Sequence, residues 1–167
     1  MGGMRNLRSA EFPPQPTFPI LIGEEFPHHV IIDTFLPNFA YSLVGKLQIG
    51  HIGGECNPQL LYVWDTGSSE NMVTSRLLES VYPHFKSLLT PYTGPDVLSC
   101  TKAPLQIMGL LHTDITIGPY CFHDYFLVYQ CKYAECLIGL RTKKEHDMIS
   151  TGHALLLPRS RLGKPLQ

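Results

Sequence analysis

Charge is scarce in this chain of 167 residues. Asp, Glu, Lys and Arg together make up 16%, and the formal net charge is −1. Such a balance gives no sign of the basic footprint by which proteins hold nucleic acid or an anionic membrane. Long apolar runs are missing too, and no stretch approaches the length of a membrane span. No apolar signal-peptide region follows Met1, so the expected compartment is the reducing cytoplasm. The Met1-Gly2-Gly3 start carries Asn6 where a myristoylation signal needs Ser or Thr. There is no internal repeat. The five cysteines, Cys56, Cys100, Cys121, Cys131 and Cys136, are odd in number, and reduced thiols are expected. Cys131 and Cys136, with His112, His123 and His146 scattered around them, do not have the spacing of a zinc finger or knuckle. Neither a metal nor another cofactor is expected.

What the chain does have is apolar substance and many turns. Apolar residues make up 44%, enough for a core, and 14 Pro with 14 Gly point to short strands in a β-rich fold. The length suits one domain with tails. Residues 1–19, with Pro13, Pro14, Pro16 and Pro19, read as an extended arm. Residues 20–150 read as the domain, and residues 151–167 as a C-terminal tail.

The stretch around which the rest is organised is Leu61-Tyr62-Val63-Trp64-Asp65-Thr66-Gly67-Ser68-Ser69. Four large apolar residues form a short, bulky, partly β-branched run, which predicts a buried strand. Asp65 ends it, where desolvation disfavours a charge. Thr66, Gly67 and Ser68 then offer a tight turn, close backbone approach and hydrogen-bond donors. By itself the pattern fits either a reactive carboxylate on a rigid strand end or an ordinary Asp-Gly turn. Val30-Ile31-Ile32-Asp33-Thr34 is similar, but Phe35 stands where Gly67 stands, and Asp33 reads as structural.

Tyr41 to Ile49 alternates with a period of two, Gly50, Gly53 and Gly54 supply a turn, and Gln59 to Trp64 returns as the second strand of a hairpin. Leu77, Leu78, Val81 and Phe85 have helical spacing interrupted by Pro83, which predicts a short helix or two broken turns. Val97 to Leu111 reads as two strands about a turn at Ser99-Cys100-Thr101-Lys102, with a bend or bulge at Gly109. Asp114 to Ile117 reads as a separate short strand, Tyr120 to Val128 as another, and Cys136-Leu137-Ile138 as a compact strand before Gly139. Thr142-Lys143-Lys144-Glu145 has the form of a capping box and predicts a helix start. Ala154 to Leu157 is a last apolar run closed by Pro158.

Taken in order, these pieces resemble the retropepsin-like aspartic proteases, in particular those of LTR retrotransposons. The resemblance rests on three parts spanning roughly Phe39 to Ile149. They are the strand pair leading into Val63-Trp64-Asp65-Thr66-Gly67-Ser68; the flap-like hairpin with Asp114-Ile115-Thr116-Ile117-Gly118 and Phe126-Leu127-Val128; and Leu137-Ile138-Gly139 leading into a helix. Three positions depart from the family pattern: Trp64 is bulky, the flap turn lacks glycine, and Arg141 stands near a position often filled by Asp.

The resemblance implies a mainly β fold, a closed barrel lobe with one short C-terminal helix, active as a two-fold homodimer. It implies an aspartic endopeptidase in which Asp65 is catalytic, with Thr66, Gly67 and Ser68 supporting it. Thr66 would brace the paired loops, Gly67 would admit the backbone to the carboxylate, and Ser68 would help orient Asp65. For Ser69, ordinary turn chemistry remains an equal reading. Ser99, Cys100, Thr101 and Lys102 would close over a polypeptide bound as an extended strand. The family's chemistry needs two carboxylates, and this chain has one Asp-Thr-Gly, so the second would come from a second copy. Ala154 to Leu157 or the N-terminal segment is expected to contribute strands to that interface. Processing of a retroelement polyprotein, in cytoplasm or in retroelement particles, is the implied setting. The alternative is a catalytically inactive module that keeps the fold for dimerisation or binding.

Overall fold

Alternation of buried and exposed side chains sets the strand pairs. In the computed structural model, which describes residues 26–37, 43–50, 58–65, 67–99 and 101–163, the first hairpin joins β2 (Leu43–Gly50) to β3 (Gln59–Trp64). Leu43 lies opposite Trp64 and Gln48 opposite Gln59. Along β3, Leu60, Tyr62 and Trp64 are buried, whereas Leu61 is 52% exposed. One face of the strand therefore enters the core. Tyr41, Gly53 and Gly54, expected in the strand and its turn, lie outside the described residues.

The helical spacing after the motif gives two pieces, as Pro83 requires. After the short strand β4 (Met72–Thr74), α1 spans Ser75–Val81, and a 3₁₀ turn spans Phe85–Leu88. The Thr74 hydroxyl caps α1 by accepting the Leu77 amide at 3.4 Å. Leu78 and Phe85 are fully buried, so the helix is held by its apolar face.

The third hairpin differs from its expectation. Asp114 to Ile117 is no separate strand; it continues β5 (Ile107–Ile117), which pairs along its length with β6 (Tyr120–Tyr129). The polar pair His112-Thr113 does not break the strand. His112 faces outward, and the buried Thr113 hydroxyl donates to Gly50 O at 2.9 Å. Gly109 is the expected bulge: the register shifts between Ile107 and Gly109, whose φ is 155°. Ahead of β5, the first limb of the flap-like hairpin is reduced to one bridge, Leu98 to Pro104.

The short strand β7 (Cys136–Ile138) lies between β3, to which it is parallel, and β4, to which it is antiparallel. The closed barrel has the order β2-β3-β7-β4-β6-β5, with β5 returning to β2. The C-terminal helix α2 spans Leu140–Glu145, so it starts two residues before the expected capping-box residue. Gly139 is its N-cap, and the Thr142 hydroxyl, inside the first turn, bonds to Asn71 and Asp124 instead of capping.

A second sheet of three strands has the order β1-β9-β8, from β1 (His29–Thr34), β8 (Ile149–Ser150) and β9 (Ala154–Pro158). The apolar run Ala154 to Leu157 is thus a central strand, fully buried and bonded on both sides within the chain. Leu155 and Leu157 join the barrel core with Ile32, and Ala154 and Leu156 pack with Phe26, Ile31 and Ile149 on the opposite face. The tail and the barrel segment therefore share a sheet. Among the described residues, no helix is long and apolar enough to cross a membrane.

Candidate active site

Asp65 stands one residue past the end of β3. Its amide donates to Ile138 O at 3.1 Å, which carries the parallel β3–β7 ladder one step beyond the strand. The backbone of Asp65 is thereby fixed by the barrel, while its side chain is only partly buried. Trp64 turns the other way, into the core, where it is 5% exposed. Its bulk is absorbed by the barrel interior, and its indole N–H has no hydrogen-bond partner among the described residues. The departure at position 64 is therefore a matter of core packing.

The carboxylate is held by the turn that follows. Asp65 Oδ1 accepts the Gly67 amide at 2.8 Å, and the Ser68 amide donates to Asp65 O at 3.2 Å. A Cβ at Gly67 would stand 3.2 Å from that Oδ1, closer than side chains ordinarily pack. Glycine at this position thus permits the approach. Ser68 reaches Asp65 through its amide; its hydroxyl donates to Glu70 O at 2.7 Å. Ser69 is exposed. Thr66 lies outside the described residues.

A second layer secures this loop. The first amides of α2 have no partners within the helix, and they find them here. Leu140 N donates to Ser68 O at 2.8 Å and Arg141 N to Ser69 O at 3.0 Å. Gly139 lets the two segments of backbone touch, since a Cβ there would lie 2.5 Å from Glu70 C and 2.8 Å from Glu70 N. Asn71, 1% exposed, joins three segments through its side-chain amide. Its Oδ1 accepts Gly139 N at 3.0 Å and the Thr142 hydroxyl at 2.9 Å, and its Nδ2 donates to Tyr125 O at 3.2 Å.

Arg141 is the cation of the same layer. It bonds to Glu70, to Asp124 at 2.9 Å and to Glu145 at 3.1 Å, and its guanidinium lies 4.2 Å from the centre of the Tyr125 ring. Burial works to lower its pKa, but the hydrogen bonds to Glu70 and Asp124 outweigh that and hold it above the ordinary value. Tyr125 donates to Glu70 at 2.8 Å, and its pKa is raised by burial and by that bond.

Asn71 and Asp124 were not singled out by sequence reasoning. A signal for Asp124 existed: it occupies the inward register shared with Tyr120, Phe122, Phe126 and Val128, where a carboxylate needs a buried partner. Ligand atoms of Asp124, Glu145 and His146 lie within 4.8 Å of one another. Arg141 already bonds both carboxylates, and His146 Nδ1 is 2.8 Å from the Tyr120 hydroxyl. The cluster's charge is balanced by the protein itself.

The flap-like residues form a separate loop. Lys102 N donates to Ser99 O and Ser99 N to Ala103 O, both at 2.8 Å. The Ser99 and Thr101 hydroxyls are 2.9 Å apart. Lys102 has a φ of 63°, in the left-handed region that a glycine would occupy without cost. Cys100 lies outside the described residues. Asp33 is placed differently from Asp65. Its Oδ2 accepts the Tyr62 hydroxyl at 3.0 Å and Lys46 N at 3.2 Å, tying β1 to the barrel, so its role is structural.

At the level of sequence, no family model matches the chain and no curated protein matches it. Solved structures do. A retropepsin-like aspartic protease from Rickettsia conorii is similar with a TM-score of 0.50 and 12% identity, over 77% of this chain and 89% of that one. The retroviral protease-like domain of Ddi1 from Leishmania major has a TM-score of 0.48 and 14% identity, over 80% and 99% of the two chains. The closed barrel, the strand-end Asp65 and the bracing helix α2 belong to a chain whose fold is retropepsin-like.

Proposed function

We propose that this protein is an aspartic endopeptidase that works as a two-fold homodimer, with one Asp65 from each copy. The observation that carries the reading is the mounting of Asp65: a partly exposed carboxylate on a rigid strand end, one oxygen held by the Gly67 amide at 2.8 Å. The other acid with a similar sequence, Asp33, is engaged by Tyr62 and Lys46. A second carboxylate for the chemistry therefore comes from a second copy, across a two-fold axis.

Two carboxylates about 3 Å apart cannot both ionise cheaply, so the pair shares one proton. The ionised member takes a proton from a water as that water attacks the scissile carbonyl carbon. The protonated member gives its proton to the carbonyl oxygen. In the resulting diol, one hydroxyl returns its proton to a carboxylate, the C–N bond breaks, and the amine leaves with a proton from the other acid. The dyad titrates as a unit. Thr66 braces the paired loops, Gly67 and Ser68 support the carboxylate, and the loop with Ser99, Cys100, Thr101 and Lys102 closes over the substrate. The polypeptide lies extended, exchanging backbone hydrogen bonds with strand edges. No metal or cofactor takes part. Polyprotein processing for a retroelement, in the cytoplasm, is the biological setting that fits this chemistry.

The test is cleavage of a peptide library at mildly acidic pH by the parent and by Asp65→Asn. Loss of cleavage in the variant supports the assignment, and full retention sinks it. Light scattering supplies a separate check, because a strict monomer at high concentration has only half a site. The left-handed Lys102 in the flap favours a second reading, a binding module without turnover. A transition-state-like peptide that leaves the melting temperature unchanged would select that reading.

A further inference from the structure

We propose that Asn71 is a positioning residue for Asp65, acting through the loop 67–70; this rests on the endopeptidase reading above. Asp65 itself contacts only one end of that loop. At the other end, the chain must turn from Glu70 into β4 while passing directly against Gly139. Asn71 is the residue at this turn, and both polar atoms of its side chain and its backbone carbonyl are engaged. Its side chain holds Gly139 N, the Thr142 hydroxyl and Tyr125 O, and its backbone carbonyl accepts Leu127 N at 2.8 Å. One amide thus ties the loop to the start of α2 and to β6, the two elements that frame it.

The polarity of these partners demands an amide. Gly139 N and the Thr142 hydroxyl are donors and require an oxygen, whereas Tyr125 O is an acceptor and requires an N–H. An ionised carboxylate at 71 satisfies the first two and sets a negative oxygen against the Tyr125 carbonyl. It would also lie near Asp124, which shares the Thr142 hydroxyl at 2.8 Å, in a site with almost no solvent. A protonated carboxyl, with its O–H toward Tyr125 O, reproduces all three bonds. Burial and Asp124 favour that neutral form, whereas Arg141, which pairs with Asp124 and Glu70 in the same layer, favours the charged one. Alanine reproduces none.

That difference provides a readout that a purely structural role does not share. Parent, Asp65→Asn, Asn71→Ala and Asn71→Asp are assayed for peptide cleavage across pH. The unfolding midpoint of each is measured at the same pH values, so that rates are compared on folded protein. Asn71→Ala is expected to lose about tenfold or more in kcat with little change in KM, because the loop no longer holds Asp65 in reacting geometry. Asn71→Asp is expected to match the alanine variant at the upper pH values and to recover toward the parent in acid.

A parent that does not cleave, or an Asp65→Asn variant that cleaves equally well, overturns the endopeptidase reading on which the assignment rests. With those controls intact, two outcomes overturn the role of Asn71 alone. One is an alanine variant with parental kcat per folded molecule. The other is an aspartate variant whose rate fails to recover in acid, where the neutral carboxyl restores all three bonds, or merely follows its folded fraction. Where the alanine variant does not fold, the aspartate variant in acid decides the question.

Discussion

The Gly67 amide sits 2.8 Å from Asp65 Oδ1, and a Cβ on Gly67 would come within 3.2 Å of the same oxygen. The hydrogen bond that orients the carboxylate and the space that a side chain would need are therefore one and the same. Gly67→Ala leaves the core untouched, so its cost in stability should stay under about 1 kcal/mol. The carboxylate or the turn must give by a few tenths of an ångström, in a site where geometry governs rate. We expect kcat/KM for peptide cleavage to fall about tenfold while the urea midpoint hardly moves. A loss of stability without loss of rate would contradict this division of labour.

Gly139 presents the opposite case. A Cβ there meets backbone, 2.5 Å from Glu70 C and 2.8 Å from Glu70 N, and no flexible side-chain tip is available to yield. Gly139→Ala must push α2 away from the loop, which strains the Gly139 bond to Asn71 and the Leu140 and Arg141 bonds to Ser68 and Ser69. Overpacking of this kind costs about 1–3 kcal/mol. Equilibrium denaturation should show that loss, and activity should fall with it.

The sequence made the Asp65 loop readable because the signal was local: an apolar strand, an acid and a glycine within a few residues. The alternation in β2, β3 and β6 was readable for the same reason, since a half-buried strand writes its period into neighbouring positions. The bracing layer was not. Asn71, Asp124 and Arg141 lie far apart in the chain and meet only because β7 inserts between β3 and β4. Thr142 was misread as a cap because Thr-x-x-Glu is also a local signal. Gly139 starts the helix earlier, and the buried acceptors of Asn71 and Asp124 claim the hydroxyl. β5 was split in sequence because Thr113 is polar, whereas its partner, Gly50 O, is distant in sequence.

Asp33 supplies a dependence on pH whose sign is opposite to that of an ordinary carboxylate. Burial raises its pKa above the usual value; the bonds from Tyr62 and Lys46 lower it but do not offset the burial. A carboxyl with a raised folded-state pKa binds its proton more tightly folded than unfolded. Its contribution is therefore fully favourable in acid and is lost as pH rises through the folded value. Asp33→Asn removes the titration. Relative to that variant, the parent should lose stability between acid and neutral pH, as read by thermal unfolding at a series of pH values. Tyr62→Phe deletes a bond that favours the charged form, so the loss should begin at the same pH, which the unfolded carboxyl sets, and extend to higher pH. An identical pH dependence in parent and Asp33→Asn would remove Asp33 from the account.

Lys102 holds a φ of 63° at the point where the flap-like turn needs a left-handed residue. The turn is otherwise well bonded, with Lys102 N to Ser99 O, Ser99 N to Ala103 O, and Ala103 N to the Ser99 hydroxyl at 3.3 Å. A side chain at left-handed φ costs about 1–2 kcal/mol, and glycine does not incur it. Glycine also widens the unfolded ensemble, which offsets part of the gain. Lys102→Gly should therefore leave the turn intact and tighten it by about 0.5–1 kcal/mol. Hydrogen exchange of the Lys102 and Ala103 amides reads this locally, because a loop's opening need not follow global unfolding. Slower exchange is expected for both amides. Faster exchange would mean that the lysine side chain itself stabilises the turn.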